Sequence, residues 1–433
     1  MNALRFDVEW LDGTGIKGPE LAATFASLRI QADNAVLTRV DDKRARTLRD
    51  AVYVPLYPMA EWLVSNWWFL AYEAENLLNR TDPAFAQRHS LVTGAEGYAF
   101  PDVRFSSAGR LTHIVWSDRM SEWNELEFRS RGSITVDRDQ FVQDCSDFVD
   151  MVVSRLAACG ITATHLQSEW AAIEATDADE LAFCATAAGL GRDPYDLDEP
   201  QKSLVLQVGE LLGDLREEAL PALGPDEPLA ACTAIHKAME QAVPNEVRLG
   251  ASLLHSGDLP HHASRPWQAG YELARRARQV FGLNGELITT TAGLAEAIGH
   301  DVATLNRATR PVQSLGALTS IDGVVRPRDS QTVSFGLRAA GETSQRFLFC
   351  RALAEALTTS NDALLTRANT ERQQRNRAFA AEFLAPSASL AERITVQFVD
   401  QDLIADLADE FGVSSYVIGH QIENHGIAEL VAA

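Results

Sequence analysis

The stretches SQRFLFCRALAEALTTS (344–360) and ERQQRNRAFAAEFLAPSASL (371–390) decide how the last third of this 433-residue chain is read. Each reads as a helix, and a loop separates the two. Upstream, WQAGYELARRARQVFGL (267–283) is an amphipathic helix and ITTTAGLAEAIG (288–299) a second, short one. LGALTSIDG (315–323), GVVRP (323–327) and TVSFGL (332–337) read as three short strands with turn residues between them. Downstream, DLIADLADEFGVSSYVIGHQIENHGI (402–427) closes the chain with further helical sequence.

The first part, to about residue 135, reads as strands with one conspicuous helix. LRFDVEWL (4–11), ATFASLRIQA (23–32) and AVLTRVDD (35–42) are short runs of β-branched and apolar residues broken by Gly, Asp and Asn. VRFSSAGRLTHIVWS (103–117) and LEFRSRGSITVD (126–137) continue the pattern, with a turn at Ala108-Gly109. Between them YVPLYPMAEWLVSNWWFLAYEAENLL (53–78) starts a helix at Pro58, where a missing N–H costs nothing. Tyr53, Tyr57, Trp62, Trp67, Trp68, Phe69 and Tyr72 form an aromatic stripe, a packing signal before it is a ligand signal.

From Asp137 the pattern turns helical, with an apolar stripe through Phe141, Cys145, Phe148, Val152 and Leu156 that closes at Gly160. Helices are also expected in 168–191, 201–220 and 228–243. LLHSGDLPHHASRPW (253–267) marks the next boundary; His255, His261 and His262 have only Asp258 beside them, so a polar interdomain loop is favoured over a metal site.

Composition narrows the function classes. The formal charge of −22 argues against duplex nucleic acid as the main partner, because phosphate binding needs clustered Lys and Arg. No run of eighteen or more apolar residues calls for a membrane helix, and MNALRFDVEWLDG (1–13) has no secretory pattern. Five scattered cysteines (Cys145, Cys159, Cys184, Cys232, Cys350) without a CxxC pair suit reduced thiols and a cytoplasmic location.

The order of elements across roughly 265–431 resembles the ImmA/IrrE family of zinc metallopeptidases. The residues that carry the resemblance are Arg346-Phe347, the run Phe379-Ala380-Ala381-Glu382-Phe383-Leu384-Ala385-Pro386, and the closing Phe411-Gly412-Val413-Ser414. In that family a helix of the form R-F-x-x-A-H-E-x-x-H holds the metal and its catalytic Glu, and a second helix adds a Glu ligand. The register set by Arg346-Phe347 puts Arg351, Ala352 and Glu355 at the His, Glu and His positions, and Arg375 at the third ligand. Arginine has no lone pair for zinc and alanine cannot act as a base, so the resemblance implies a scaffold without the hydrolytic machinery, hence no metal and no cofactor.

Arg351 and Glu355, four apart on one helix face, are expected to pair in the place of the metal, facing Glu371, Arg372, Gln373, Arg375 and Arg377. Three readings stay open, the least favoured of them a new catalytic centre. Salt bridges replace the metal as a structural staple, or Arg351, Glu355, Arg372, Gln373 and Arg375 form an anion- or peptide-binding cleft. Glu382 reads equally well as an exposed helical residue. His420 and His425, five apart, splay rather than converge, which favours surface or capping roles.

The fold expected is α+β in three parts: a β-rich domain (1–135), a helical middle domain (136–262) and a zincin-like, ImmA/IrrE-type C-terminal domain with a small antiparallel sheet (263–433). The function expected is a non-catalytic regulatory protein of a stress-response, toxin–antitoxin or phage-defence system that binds a protein or peptide partner through the degenerate cleft. A hydrolase with a remodelled or displaced active site is the alternative, and a DNA-binding regulator is disfavoured by Asp406, Asp409, Glu410 and Glu423 near the closing helix.

Overall fold

The computed structural model describes residues 4–75, 79, 81–118, 125–224, 226–249, 265–283 and 285–431, so His255, His261 and His262 lie outside the described residues. The fold is mixed α+β with several small, mostly antiparallel sheets. Where the sequence suggests three parts, the chain folds as two compact units, Met1–Pro225 and Asp226–Ala433. The strands of the first part and the helices that follow share one core, and the helix Pro228–Ala242 belongs to the second unit. Among the described residues no helix is long and apolar enough to cross a membrane.

In the first unit, Leu4–Trp10 pairs antiparallel with Phe25–Ala32, which takes Val52–Pro55 on its other edge. Every second residue of Phe25–Ala32 is buried, as expected of a strand packed on one face. A second sheet joins Asp102–Ala108, Leu111–Ser117 and Gly132–Asp137, and Gly109 supplies the positive φ of the connecting turn. The helix Arg138–Ala158 starts where the Asp137 side chain accepts from the N–H groups of Asp139 and Gln140. It buries Phe141, Cys145, Phe148, Val152 and Leu156. The aromatic helix is two, Tyr57–Ser65 and Trp67–Tyr72, parted at Asn66, whose φ of −114° and ψ of 14° leave the helical range and whose side-chain amide also bonds the Trp62 carbonyl. Trp62, Trp67, Trp68 and Phe69 are core residues, with Trp67 edge-on to Trp170 at 4.9 Å between centroids. Tyr53 stands apart: it is exposed, with the Arg49 guanidinium over its ring.

In the second unit the strands β1 (Glu246–Arg248), β2 (Ile321–Pro327), β3 (Thr332–Leu337) and β4 (Ala363–Thr366) form an antiparallel sheet in the order β1-β3-β2-β4. Two expectations need correction. Asp322-Gly323 is no turn: β2 runs through it with a local irregularity against β4, and 313–317 is a short 3₁₀ turn instead of a strand. The fourth strand, β4, lies in what reads as a loop, because four residues, A-L-L-T, are too short to show a period. The helix Pro228–Ala242 packs on this sheet, and the helices that build the site are α1 (Pro266–Val280), α2 (Glu342–Ala356), α3 (Glu371–Leu384), α4 (Gln401–Phe411) and α5 (Ser415–His425). Thr370 caps α3 by accepting from the Gln373 N–H. Gly412, at a φ of 65°, ends α4, and Ser414 caps α5.

Helices α1 and α3 touch closely at Gly270, where an added Cβ would lie 2.3 Å from the Arg375 carbonyl oxygen and 2.8 Å from the Ala378 Cβ. Gly to Ala inside a helix normally gains roughly 1 kcal/mol of propensity. Here the obstacle is backbone, so the overpacking cost of about 1–3 kcal/mol outweighs it. Gly270→Ala is expected to lower the midpoint of denaturant unfolding, and a raised midpoint would show that the two helices are not held at this distance.

Candidate functional site

The residues singled out in the sequence meet between α2, α3 and the β4 edge of the sheet. Arg351, on α2, is buried. It does not pair with Glu355. Its Nη1 donates to Asp322 Oδ2 at 2.9 Å, and its Nη2 donates to the Thr366 carbonyl at 2.6 Å and to Gln373 Oε1 at 2.9 Å. The reason is that Glu355, fully buried one turn on, is already satisfied from α3. Arg372 Nε donates to Glu355 Oε1 at 3.0 Å, Arg375 Nη2 donates to Oε2 at 3.2 Å, and the Asn376 amide donates to Oε2 as well. Residues 372, 375 and 376 share a face of α3 by helical spacing, so one carboxylate collects all three.

Gln373 turns the other way. Its Oε1 accepts from the Thr366 N–H at 3.0 Å as well as from Arg351, and its Nε2 donates to the Leu364 carbonyl at 2.8 Å. β4 is an edge strand, and this amide side chain occupies part of its outer edge as a neighbouring strand would. All five residues are therefore brought together, but as two adjoining bonded groups, Arg351 with Gln373 and Glu355 with Arg372 and Arg375, with Arg351, Glu355 and Gln373 buried. Burial pushes the Arg351 pKa down, and the adjacent Asp322 carboxylate opposes that. Glu371 stays outside the network, and Arg377 donates to the Ala368 carbonyl and the Asn369 side chain. Among the described residues no group of three or more His, Cys, Asp or Glu is placed to hold a metal ion.

Asp322 and Asn376 complete the network and are absent from the sequence reading. Asp322 was legible as an acid inside the apolar run S-I-D-G-V-V, but the Asp-Gly pair reads first as a turn. Asp322 also receives Arg367 Nε at 3.0 Å, so one carboxylate bridges two guanidinium groups.

Next to the network a cavity of about 650 Å³ opens. Asp322 and Arg367 belong to both, whereas none of the five predicted residues lines the cavity. Its walls are Trp267 and Tyr271 of α1, Phe347 of α2, and Val417 of α5, with Arg338 and Arg377 among its polar lining.

Glu382 is a correction: it is 2% exposed rather than solvent-facing. Arg275 Nε donates to it at 2.9 Å, Gln421 Nε2 at 2.9 Å and Ser387 Oγ at 3.0 Å, and His425 Nε2 lies 3.4 Å away. His425, tilted against the Tyr271 ring and half-buried, thus stands beside the buried Glu382, while His420 is exposed against Tyr416. Burial alone raises the Glu382 carboxyl; the close approach of His425 Nε2, the Arg275 charge and the Gln421 amide outweigh it and hold the carboxyl below its usual value.

No family model, curated protein or solved structure matches the chain.

The lowered Glu382 pKa fixes the sign of a pH effect. Its contribution is present above the unfolded value, about 4.3, and is lost as pH falls through the lower folded value. Glu382→Gln is expected to unfold more easily than the parent at about pH 6, with the gap narrowing toward about pH 3. Denaturant titrations across that range would refute this by showing a gap independent of pH.

Proposed function

We propose that this chain is a non-catalytic binding protein, its second unit an ImmA/IrrE-like scaffold in which an ion-pair staple has taken the place of the metal. The observation that supports this reading most is the state of Arg351, Ala352, Glu355 and Arg375. Two of these are guanidinium groups, which offer a metal no lone pair, and one is a methyl group, which moves no proton. The fourth, Glu355, has its carboxylate occupied by donors from Arg372, Arg375 and Asn376. A catalytic base needs a lone pair free to take a proton, and a metal ligand needs one free to bind. Neither is on offer here.

Of the two roles open to the five residues, the staple is favoured, and partner binding passes to the adjoining cavity. The partner is a protein or peptide, and the chain acts as a cytoplasmic regulator of the stress-response, toxin–antitoxin or phage-defence kind. The formal charge of −22 weighs against duplex nucleic acid.

The test is elemental mass spectrometry and a peptidase assay on the purified chain, beside the variant Arg351→His/Ala352→Glu/Glu355→His/Arg375→Glu. The parent is expected to carry no stoichiometric zinc and to cleave nothing, whereas the variant takes up zinc because the ligand pattern is restored on a suitable scaffold. Stoichiometric zinc with peptide cleavage by the parent would overturn the proposal. A folded variant that ignores zinc would remove the family likeness from beneath it.

A further inference from the structure

The cavity between α1, α2, α3 and α5 has an electrostatic sign opposite to that of the chain. Arg338, Arg367 and Arg377 line it, and among the described residues Asp322 is the one acidic residue in its lining. That carboxylate is already shared between Arg351 and Arg367. A lining with positive excess in a chain of formal charge −22 is a local reversal, and such reversals select the charge of what binds.

Arg338 is the clearest case. It follows β3, its Nη2 donates to the Leu315 carbonyl at 3.1 Å, and its Nε is buried without a hydrogen-bond partner among the described residues. A guanidinium fork left part-used beside a cavity is suited to a carboxylate. The rest of the wall is aromatic and aliphatic: Trp267, Tyr271, Phe347 and Val417, with Tyr416 at 75% exposure beside them. The volume, about 650 Å³, lies within the range of sites that enclose a ligand.

We infer that this cavity docks an acidic segment of a partner protein, one in which carboxylates flank an aromatic or aliphatic side chain. The apolar side chain packs against Trp267, Tyr271 and Phe347, and the carboxylates meet Arg338, Arg367 and Arg377. These cations come from three separate elements, after β3, after β4 and within α3, an arrangement that suits several carboxylates along one chain better than a single compact anion. The inference rests on the partner-binding reading above and adds the chemistry of the partner.

The experiment is fluorescence anisotropy of the full chain with a labelled peptide alternating Glu with Phe and Leu, against a counterpart with Lys in place of Glu. The acidic peptide is expected to bind and the basic one not, with binding weakened as salt is raised. Arg338→Glu and, separately, Trp267→Ala are each expected to weaken it about tenfold or more while circular dichroism stays that of the parent. Absence of binding, equal binding of both peptides, or affinity unchanged in both variants would overturn the inference. So would displacement by free benzoate at a matching concentration, which assigns the cavity to small aromatic acids, or tighter binding of a single-stranded oligonucleotide. The zinc and peptidase measurements are independent of these. A chain with neither zinc nor activity that ignores the peptide loses this docking site alone, whereas an active zinc peptidase loses the reading beneath it.

Discussion

Glu355 and Asp322 bury carboxylates within one small region of the second unit, and a carboxylate removed from water must meet donors in fixed positions. Glu355 draws Arg372, Arg375 and Asn376 onto one face of α3; Asp322 draws Arg351 from α2 and Arg367 from the end of β4. Helix α3 is thereby held to α2, and α2 to the sheet. The close approach of α1 to α3 at Gly270 follows on the other side, since the backbone of Arg375 and Phe379 sits where a side chain would go. The Coulombic gain of such a network is largely offset by the cost of desolvating its charges. Breaking it is another matter, because a lone buried charge costs about 3–5 kcal/mol. The network therefore does more to fix one arrangement than to deepen stability.

Gln373 shows how the same region disposes of a sheet edge. An edge strand offers unpaired N–H and C=O groups, and a free edge is a standing invitation to another chain. The Gln373 amide carries an N–H donor group and a carbonyl acceptor, as a peptide unit does, and sets them against Leu364 and Thr366. A peptide laid along that part of β4 would have to displace it, together with the Arg351 contact that shares its oxygen. This is the physical reason to look for a partner in the adjoining cavity rather than on the strand edge.

Much of the fold was legible. The strands Leu4–Trp10, Phe25–Ala32, Asp102–Ala108, Leu111–Ser117 and Gly132–Asp137, the capped helix after Asp137 and helices α1 to α5 follow from alternation, helical spacing and terminal Asp, Ser, Thr and Gly residues. The strand Val52–Pro55 and the helices Pro83–His89 and Val302–Ala308 went unread, and two further misses share one cause. β4 is four residues long and buried throughout, and Asp322-Gly323 carries the composition of a turn inside a strand. Both are decided by what packs against them, which a local pattern does not contain. The site divides in the same way. Helical spacing groups Arg372, Arg375 and Asn376 on one face and sets Arg351 with Glu355 on another. It cannot say that Arg351 prefers Asp322, twenty-nine residues upstream, to the acid one turn along its own helix. That choice depends on Glu355 having its lone pairs filled from α3.

The same choice shapes the cavity. Had Arg351 taken Glu355, Asp322 would keep a full negative charge in the cavity lining, held by Arg367 alone. With Arg351 behind it, that charge is matched from the buried side, and the positive excess of Arg338, Arg367 and Arg377 faces the open space. At the low effective dielectric of a partly enclosed site such a difference in sign matters more than it would on open surface. The staple and the cavity are therefore coupled through one residue. A substitution that unpicks the buried network would also change which charge the cavity presents, even at positions no ligand touches.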